Sequence, residues 1–369
     1  MKILVTGANG FVGKNLIAQL KNLNEHEIYE YDIDTSKELL AEYCEKAEFV
    51  YHLAGVNRPE NEEEFMSGNF GFSSELLDIL KEKKNTCPVM LSSSTQAKLD
   101  NPYGKSKKAG EELFETYAKD TGSTVYIYRF ANLYGKWSRP NYNTVVATFC
   151  YKIARGEEVT VNDPNVVIDF CYIDDVVNEL LRCLCGNPTT SENFCVVPEV
   201  DSVSIGTLKD LVVSFKESRQ KLTLPELDKR FEKNLYSTYL SFLPENQFSY
   251  PLKMNVDNRG SFTEFLRTPD RGQVSINISK PGITKGNHWH HTKNEKFLVV
   301  SGTGVIRFRK IDTDEVIEYF VSGEKLEVVD IPVGYTHNIE NLGDSDMVTV
   351  MWVNESFDPE NPDTYYVEV

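Results

Sequence analysis

The most constraining feature of the sequence is a glycine-rich turn that directly follows the first apolar run. Residues 3–6 are apolar and predict a buried strand, and apolar side chains recur at helical spacing over 11–23. Glycines at such a junction allow a tight turn and the close approach of a pyrophosphate to free backbone N–H groups. The N-terminus therefore predicts a dinucleotide site formed by Gly7, Gly10, Phe11, Val12 and Gly13.

Short apolar strands and amphipathic helices continue to alternate along the first part of the chain. The spacing predicts strands at 28–31, 49–53, 89–92 and 125–130, and helices at 38–46, 74–84, 103–120 and 225–241. Alternation of this kind is typical of a doubly wound parallel sheet. We predict an α/β Rossmann-type domain over 1–243, ending where Pro244 and Pro251 interrupt regular structure.

The last third of the chain has a different pattern. Strands are predicted at 273–279, 297–301, 304–309, 316–321, 327–331 and 347–353. Breaks rich in Gly, Pro and Asn separate them, as in an all-β sandwich or jelly roll. We therefore predict a second, all-β domain over 252–369.

Charge and composition exclude several functional classes. The net charge is −17, so the chain as a whole lacks the basic footprint of a nucleic-acid-binding protein. No run of about 18 apolar residues occurs, and glycine interrupts the N-terminus too early for a signal peptide. Seven cysteines without a CxxC pair argue against a disulfide framework. We expect a cytoplasmic protein with no nucleic-acid or membrane partner, and a homodimer by default.

Asp32 ends the second predicted strand, about 20 residues after the glycine-rich turn. A carboxylate at this position usually accepts hydrogen bonds from a ribose hydroxyl, which favours NAD(H) over NADP(H). Asp34 and Glu30 are equally near in sequence and remain alternatives.

Tyr103 and Lys107 are four residues apart, so they share one face of a predicted helix. A nearby ammonium lowers the pKa of a phenol, and such a tyrosine can exchange a proton with a carbonyl oxygen during hydride transfer. The preceding strand ends in hydroxyl side chains over 92–95, which could hydrogen-bond to the same oxygen.

Together with segments 51–55 and 129–135, these motifs resemble the extended short-chain dehydrogenase/reductases that act on nucleotide sugars, over about residues 1–243. The resemblance implies that Ser94, with Ser93 or Thr95 as alternatives, assists Tyr103 as the acid. It implies that Lys107 binds the cofactor ribose. It further implies cofactor contacts from Leu53, Ala54 and Gly55, and substrate contacts from Arg129 and Asn132. Ile168 stands where many relatives carry an arginine, so Lys136, Arg139 or Lys152 would contact the diphosphate. The resemblance favours NADPH, whereas Asp32 argues against a 2′-phosphate.

Four of the six histidines lie in two short motifs of the second domain. His288 and His290 are two apart and can share one face of a strand, and Glu295 can return on the next strand. Three imidazoles and one carboxylate suit zinc, manganese, iron or nickel, with zinc preferred. The predicted ligands are His288, His290, Glu295 and His337.

These spacings resemble the signature motifs of cupins, and segments 259–262 and 282–288 resemble sugar 3,5-epimerases of the jelly-roll type. The two resemblances give His288 competing roles, as a metal ligand or as the base. If His288 is a ligand, the base would be Lys296, His291 or Tyr335.

The fusion of the two domains resembles bifunctional enzymes that make precursors of bacterial capsular polysaccharide. The resemblance implies that the cupin inverts C3 of a UDP-2-acetamido-2,6-dideoxy-4-hexulose. The reductase domain would then reduce the C4 ketone to UDP-N-acetyl-6-deoxy-L-talosamine, on the route to UDP-N-acetyl-L-fucosamine. Two alternatives remain: a reductase with a structural or dimerising cupin, and a sensor that has lost catalysis.

Overall fold

The structure is a computed structural model that describes residues 1–57, 61, 63–268 and 270–369. It divides into two compact units. Met1–Val213 and Asp228–Pro244 form the first unit, and Ser214–Leu227 and Glu245–Val369 form the second. The predicted first domain, 1–243, includes Ser214–Leu227, but this segment groups with the second unit.

A seven-stranded sheet forms the centre of the first unit. Its spatial order is β2 (Glu27–Tyr31), β1 (Lys2–Thr6), β3 (Phe49–His52), β4 (Val89–Ser94), β5 (Val125–Phe130), β9 (Phe194–Cys195) and β8 (Thr190–Ser191). The first six strands are parallel, and β8 is antiparallel to β9. The chain leaves β1 for β2 on one side and returns to β3 on the other, so the carboxyl ends of β1 and β3 flank the crevice where doubly wound folds bind ligands. The predicted α/β class is confirmed.

Helices cover both faces of this sheet. Along the described residues of both units, the helices are α1 (Phe11–Leu23), α2 (Lys37–Lys46), α3 (Glu63–Phe65), α4 (Phe72–Glu82), α5 (Pro102–Thr121), α6 (Val145–Ala154), α7 (Ile173–Leu184), α8 (Ile205–Lys221) and α9 (Arg230–Ser241), with a π-helix at Met66–Gly71 and 3₁₀ turns at Thr95–Lys98 and Glu245–Gln247. Alternate residues of β1 pack into two separate hydrophobic cores. Ile3 and Val5 pack with α1 and α7, whereas Leu4 packs with α2, α4 and α5.

A small three-stranded sheet supplements the main one. Its order is β10 (Asp201–Ser204), β7 (Val167–Tyr172) and β6 (Asn132–Tyr134). β6 is parallel to β7, and β10 is antiparallel to it.

Two antiparallel sheets make up most of the second unit. The six-stranded sheet has the order β11 (Met254–Asp257), β12 (Gly260–Thr268), β13 (Gly272–Ser279), β20 (Met347–Val353), β15 (Glu295–Ser301) and β18 (Val328–Ile331). The five-stranded sheet has the order β17 (Val316–Ser322), β16 (Thr303–Lys310), β19 (Tyr335–Asn341), β14 (Thr284–Trp289) and β21 (Tyr365–Tyr366). One buried cluster joins Phe297 and Val299 of the first sheet to Ile306, Phe308 and Ile339 of the second. The predicted all-β class is confirmed.

The last helix of the first unit begins later than predicted, at Arg230 and not at residue 225. Just upstream, the Leu224 N–H donates to the Arg267 carbonyl at 3.3 Å, and the Arg267 N–H donates to the Leu222 carbonyl at 2.7 Å. The chain is therefore extended along β12 at this point. The position before a proline also disfavours helical backbone, and Leu224 precedes Pro225.

Across the described residues, no helix combines the length and the apolar character needed to cross a membrane.

Candidate active sites in the two units

The glycine-rich turn lies at the carboxyl end of β1, where sterics leave no room for side chains. Gly7 has a φ of +69°, and a Cβ on it would lie 2.7 Å from the Ala54 nitrogen and 2.9 Å from the Leu53 carbonyl carbon. A Cβ on Gly13 would lie 2.2 Å from the Gly7 carbonyl oxygen. The turn after β1 and the loop after β3 therefore meet backbone to backbone, as the predicted cofactor site requires.

The start of α1 follows this turn. Gly10 precedes the helix and makes no side-chain cap, so no side chain of its own competes for the first N–H groups. Phe11 and Val12 occupy the first turn and pack against the core of the first unit. The arrangement fits the pyrophosphate of a dinucleotide.

Asp32 lies directly after β2 and against the glycine-rich turn. Its Oδ2 accepts a hydrogen bond from the Asn9 N–H at 2.7 Å, and its Oδ1 accepts one from the Ile33 N–H at 2.8 Å. Glu30 instead forms an ion pair with Lys21 at 2.6 Å. Of the two, Asp32 is the carboxylate beside the turn.

The loop after β3 brings Gly55 next to Lys107. A Cβ on Gly55 would lie 3.2 Å from Lys107 Nζ and 2.7 Å from Asn69 Oδ1. Asn69 holds the loop, because its Oδ1 accepts from the Val56 N–H at 2.9 Å and its Nδ2 donates to the Val56 carbonyl at 3.0 Å. The sequence analysis missed Asn69, which lies in the π-helix, where the usual helical periodicity gives no signal.

Tyr103 and Lys107 lie one turn apart near the start of α5, as predicted. Lys107 Nζ lies 5.8 Å from the centroid of the Tyr103 ring and donates to the Ser92 carbonyl at 3.1 Å. The Tyr103 hydroxyl donates to Asn57 Oδ1 at 3.0 Å. Asn57, which the sequence analysis did not single out, therefore contacts the predicted acid.

The pKa of Tyr103 moves in the opposite direction from our expectation. Burial raises it to about 12, and a hydrogen bond with Ser94 acts in the lowering direction. Burial also lowers the pKa of Lys107 to about 8, although the charge of Glu111 raises it. The expected lowering by Lys107 is therefore not met, because burial dominates. Tyr103 is protonated at neutral pH, as a proton donor to a ketone must be.

The hydroxyl side chains at the end of β4 have different partners. Ser93 donates to Glu111 Oε1 at 2.5 Å, and Thr95 is exposed. Ser94 interacts with Tyr103 and also accepts from the Gln96 N–H at 3.2 Å. Among the three alternatives, the geometry favours Ser94.

Arg129 is not available for the predicted substrate contact. It forms a bidentate ion pair with Glu111, with Nη2–Oε2 at 2.6 Å and Nε–Oε1 at 2.9 Å, and Glu111 is only 3% exposed. Its guanidinium also stacks 3.5 Å from the centroid of Phe194. Arg129 is thus a partly buried partner of Glu111. Asn132 is exposed at the start of β6, with its Nδ2 donating to the Asp169 carbonyl at 3.3 Å.

Two of the three diphosphate candidates have partners inside the first unit. Lys136 pairs with Asp174, and the Arg139 guanidinium lies 4.8 Å from the centroid of Tyr142. Lys152 lies in the last turn of α6.

The predicted metal ligands converge in the second unit. His288 on β14 is directly opposite His337 on β19, and Glu295 begins β15. His290 follows the end of β14. One ligand atom from each of the four residues lies within 4.8 Å of the others. Glu295 Oε2 is 3.2 Å from His337 Nε2 and 3.6 Å from His290 Nε2.

The donor set fits a divalent metal ion. Four buried polar atoms of this cluster have no hydrogen-bond partner within the described part of the chain. They are His290 Nε2, Glu295 Oε2 and both ring nitrogens of His337. Buried polar atoms without partners are costly, and a metal ion would satisfy His290 Nε2, Glu295 Oε2 and one ring nitrogen of His337 together. Burial lowers the pKa of His288 to about 4, so its imidazole is neutral at neutral pH.

A cavity of about 320 Å³ adjoins this cluster and lies wholly within the second unit. Its titratable lining residues are Asp257, Arg259, Lys285, His288, Glu295 and His337. Lys285 Nζ donates to Asn277 Oδ1 at 2.7 Å and to the Ile278 carbonyl at 2.8 Å. Burial lowers the pKa of Lys285.

Lys285 is the lysine that lines this cavity. Lys296 does not line the cavity; it is half exposed and pairs with Asp330. A regular strand would direct residues 285 and 288 to opposite faces, but the register shifts between Gly286 and His288. This bulge directs both side chains to the cavity.

The other two candidate bases also lie elsewhere. The centroid of the His291 ring lies 4.5 Å from that of Trp289, in an edge-to-face arrangement. Tyr335 packs against the core of the second unit. Neither lines the cavity.

Comparisons with known proteins cover both units. Residues 3–190 match the NAD dependent epimerase/dehydratase family, and residues 255–365 match the polysaccharide biosynthesis C-terminal domain. A UDP-2-acetamido-2,6-beta-L-arabino-hexul-4-ose reductase of Pseudomonas aeruginosa is 44% identical over 369 residues, covering 100% of this chain and 99% of the relative.

Two solved structures are similar to this chain over its full length. The capsular polysaccharide assembling protein CapF from Staphylococcus aureus is 62% identical, with a TM-score of 0.95 and full coverage of both chains. A structure of CapF with the inhibitor 3-isopropenyl-tropolone is 58% identical, with a TM-score of 0.91 and full coverage of both chains. A Bacillus cereus UDP-glucuronic acid 4-epimerase is 19% identical with a TM-score of 0.54, covering 66% of this chain and 96% of its own, and shares the fold alone.

Proposed function

This chain belongs to the NAD dependent epimerase/dehydratase family, and from that premise we propose that it is a bifunctional nucleotide-sugar enzyme. Its all-β unit would invert C3 of a UDP-2-acetamido-2,6-dideoxy-4-hexulose. Its α/β unit would reduce the C4 ketone of the inverted sugar to UDP-N-acetyl-6-deoxy-L-talosamine, a precursor for capsular polysaccharide on the route to UDP-N-acetyl-L-fucosamine. The name of the Pseudomonas aeruginosa relative supports the substrate class.

The observation that carries this proposal is that each unit has its own acid–base set. The first unit has Tyr103 beside Lys107 and Ser94. The second has the buried histidine–glutamate cluster next to a cavity that also contains Lys285. A purely structural all-β unit would have no need for a cavity that places a partly buried lysine beside this cluster.

In the reduction, a nicotinamide cofactor bound at the glycine-rich turn would supply the hydride that C4 accepts. Tyr103 donates the proton that the C4 oxygen needs to become a hydroxyl, which balances the reaction. Ser94 hydrogen-bonds to Tyr103 and can hold the ketone oxygen beside it. Lys107 lies next to Gly55 of the cofactor loop, where its ammonium can bind ribose hydroxyls.

In the epimerisation, a base removes the proton from C3, charge develops on the C4 oxygen, and water supplies the proton that returns to C3 from the opposite face. A divalent ion held by His288, His290, Glu295 and His337 would polarise the ketone and acidify C3. Burial lowers the pKa of Lys285, so its amine can accept a proton at a pH closer to neutral. We therefore assign proton transfer to Lys285, with His288 acting as a ligand and zinc as the preferred ion.

The choice of nicotinamide cofactor follows from Asp32. Its carboxylate lies against the glycine-rich turn. Its negative charge would repel the 2′-phosphate of NADPH there. We propose that NADH competes well with NADPH in this chain, although the family resemblance favours NADPH.

A homodimer and a cytoplasmic location belong to the same proposal. β17 is at the edge of its sheet, and its residues Val316–Phe320 are all exposed, including Tyr319 and Phe320. A second copy could cover these apolar side chains. All seven cysteines are free, which suits a reducing compartment.

Proton NMR of the ketosugar in D2O with the full chain tests the two steps separately. Without cofactor, we expect the C3 proton to exchange. After NADH is added, a C4 alcohol should form. Tyr103→Phe should keep exchange and slow reduction, and His337→Ala should lose exchange. Reduction without any C3 exchange in the wild type would leave a reductase with a structural all-β unit.

A further inference from the structure

The C-terminal segment packs beside the metal cluster. β21 pairs antiparallel with β14, opposite His288 and Trp289. The Val367 N–H donates to the Asn287 carbonyl at 3.0 Å. The last residues of the chain therefore extend the sheet next to the strand that carries His288.

Asp363 binds the turn that joins β14 to β15. Its carboxylate accepts from the N–H groups of His291, Thr292 and Lys293 at 3.0, 2.9 and 2.9 Å, and from the Thr292 hydroxyl at 3.1 Å. Lys293 is buried and donates back to the Pro362 carbonyl. Asp363 has a φ of 38°, which few residues other than glycine adopt. These contacts fix the backbone of residue 363 against the turn.

That backbone contacts His290 directly. The Asp363 carbonyl oxygen lies 2.6 Å from His290 Nδ1. A carbonyl oxygen only accepts hydrogen bonds, so Nδ1 carries the proton of the neutral imidazole. Nε2 is then left with its lone pair and lies 3.6 Å from Glu295 Oε2, inside the cluster. His290 is 2% exposed, so water offers little competition for Nδ1.

We propose that Asp363 is a positioning residue for the metal site, which selects the tautomer and orientation of His290. The inference rests on the metal site proposed above, and it assigns the C-terminal segment a part in preparing that site. The carboxylate holds the backbone, and the backbone carbonyl holds the imidazole. A hydrogen bond from the far nitrogen of a ligating histidine orients the ring and raises its basicity as a ligand.

Substitutions at Asp363 can remove the carboxylate without straining the backbone. Asp363→Gly removes all four side-chain contacts, and glycine accepts the positive φ. Asp363→Asn tolerates the same φ, keeps one acceptor oxygen and removes the charge. Asp358→Gly is the matched control, because Asp358 lies in the same segment but caps only a local turn, through the Glu360 N–H at 2.9 Å.

Zinc affinity of the metal-free full chain is the first measurement, by competition with a chromophoric chelator. We expect Asp363→Gly to bind zinc about 10- to 100-fold more weakly than the wild type, as other outer-sphere substitutions do. The zinc affinity of Asp363→Asn should lie between those of Asp363→Gly and the wild type, and that of Asp358→Gly should match the wild type. Circular dichroism checks that each variant is folded.

The tautomer of His290 is the second measurement and needs no metal. In ¹H–¹⁵N spectra of the metal-free chain, recorded at a pH where the ring is neutral, His290 should carry its proton on Nδ1 in the wild type. In Asp363→Gly, the Nδ1–H and Nε2–H tautomers should both be populated and exchange with each other. An unchanged tautomer in a folded Asp363→Gly chain overturns the inference, whatever its zinc affinity. A wild type that binds no zinc, but whose His290 tautomer still depends on Asp363, keeps the positioning role and refutes the metal part of the proposed function.

Discussion

Lys107 provides a stability test of the first site that does not depend on substrate. Its side chain is buried, and burial lowers the pKa of its ammonium from 10.5 to about 8. Replacing it by methionine retains a similar shape and removes the titration. The difference in unfolding free energy between wild type and Lys107→Met should therefore depend on pH.

The sign and size of this dependence follow from proton linkage. Between the two pKa values the unfolded chain still holds the proton that the folded chain has lost, so the stability of the wild type rises with pH. One pKa unit corresponds to about 1.4 kcal/mol. From pH 7 to pH 9.5 the wild type should gain about 2 kcal/mol relative to Lys107→Met. The hydrogen bond from Lys107 to the Ser92 carbonyl, which the variant loses, shifts the difference at both pH values alike.

Calorimetry of the full chains at both pH values provides the measurement. For a unit of this size, about 2 kcal/mol shifts the melting temperature by roughly 4–8 °C. The melting temperature of the wild type, relative to that of Lys107→Met, should therefore rise by that amount between pH 7 and pH 9.5. Buried cysteines and tyrosines also titrate in alkali, but they are common to both proteins and cancel. Lys108→Met makes the same substitution at an exposed position of the same helix and serves as the control. A difference that stays constant between the two pH values would show that Lys107 is not desolvated as the structure indicates.

Three further predictions concern chemistry. Tyr103→Phe removes the proton donor and should slow ketone reduction about 10²- to 10⁴-fold, measured as cofactor oxidation; an undiminished rate would exclude Tyr103 as the acid. Asp32→Ala removes the charge beside the ribose and should shift the ratio of kcat/KM values from NADH towards NADPH; a ratio that does not change would mean that Asp32 contacts no ribose. Lys285→Met should reduce C3 exchange about 10²- to 10⁴-fold, because it removes the lysine of the cavity. Lys296→Met, the same change at a half-exposed position on β15, should leave exchange intact, and equal losses in the two variants would refute the assignment of Lys285.

Local sequence patterns were sufficient to predict both fold classes and the four residues that converge in the second unit. The glycine-rich turn has to be made of glycine, because a Cβ on Gly7 or Gly13 would collide with backbone atoms. Helical spacing alone brings Tyr103 and Lys107 to one helix face. The two histidine motifs predicted the four residues of the cluster from their ligand types and spacing.

The roles of several charged residues were decided only by tertiary structure. Arg129 looked available for substrate, but the fold brings the buried Glu111 within 2.6 Å of it. Lys285 lines the cavity, although the sequence analysis assigned it no role, because a bulge in β14 directs it to the same side as His288. Nothing local to Asp363 indicates that it contacts His290, 73 residues earlier. Periodicity determines which face of its own element a side chain occupies, whereas the partner across that face comes from a distant segment and is set when the elements pack.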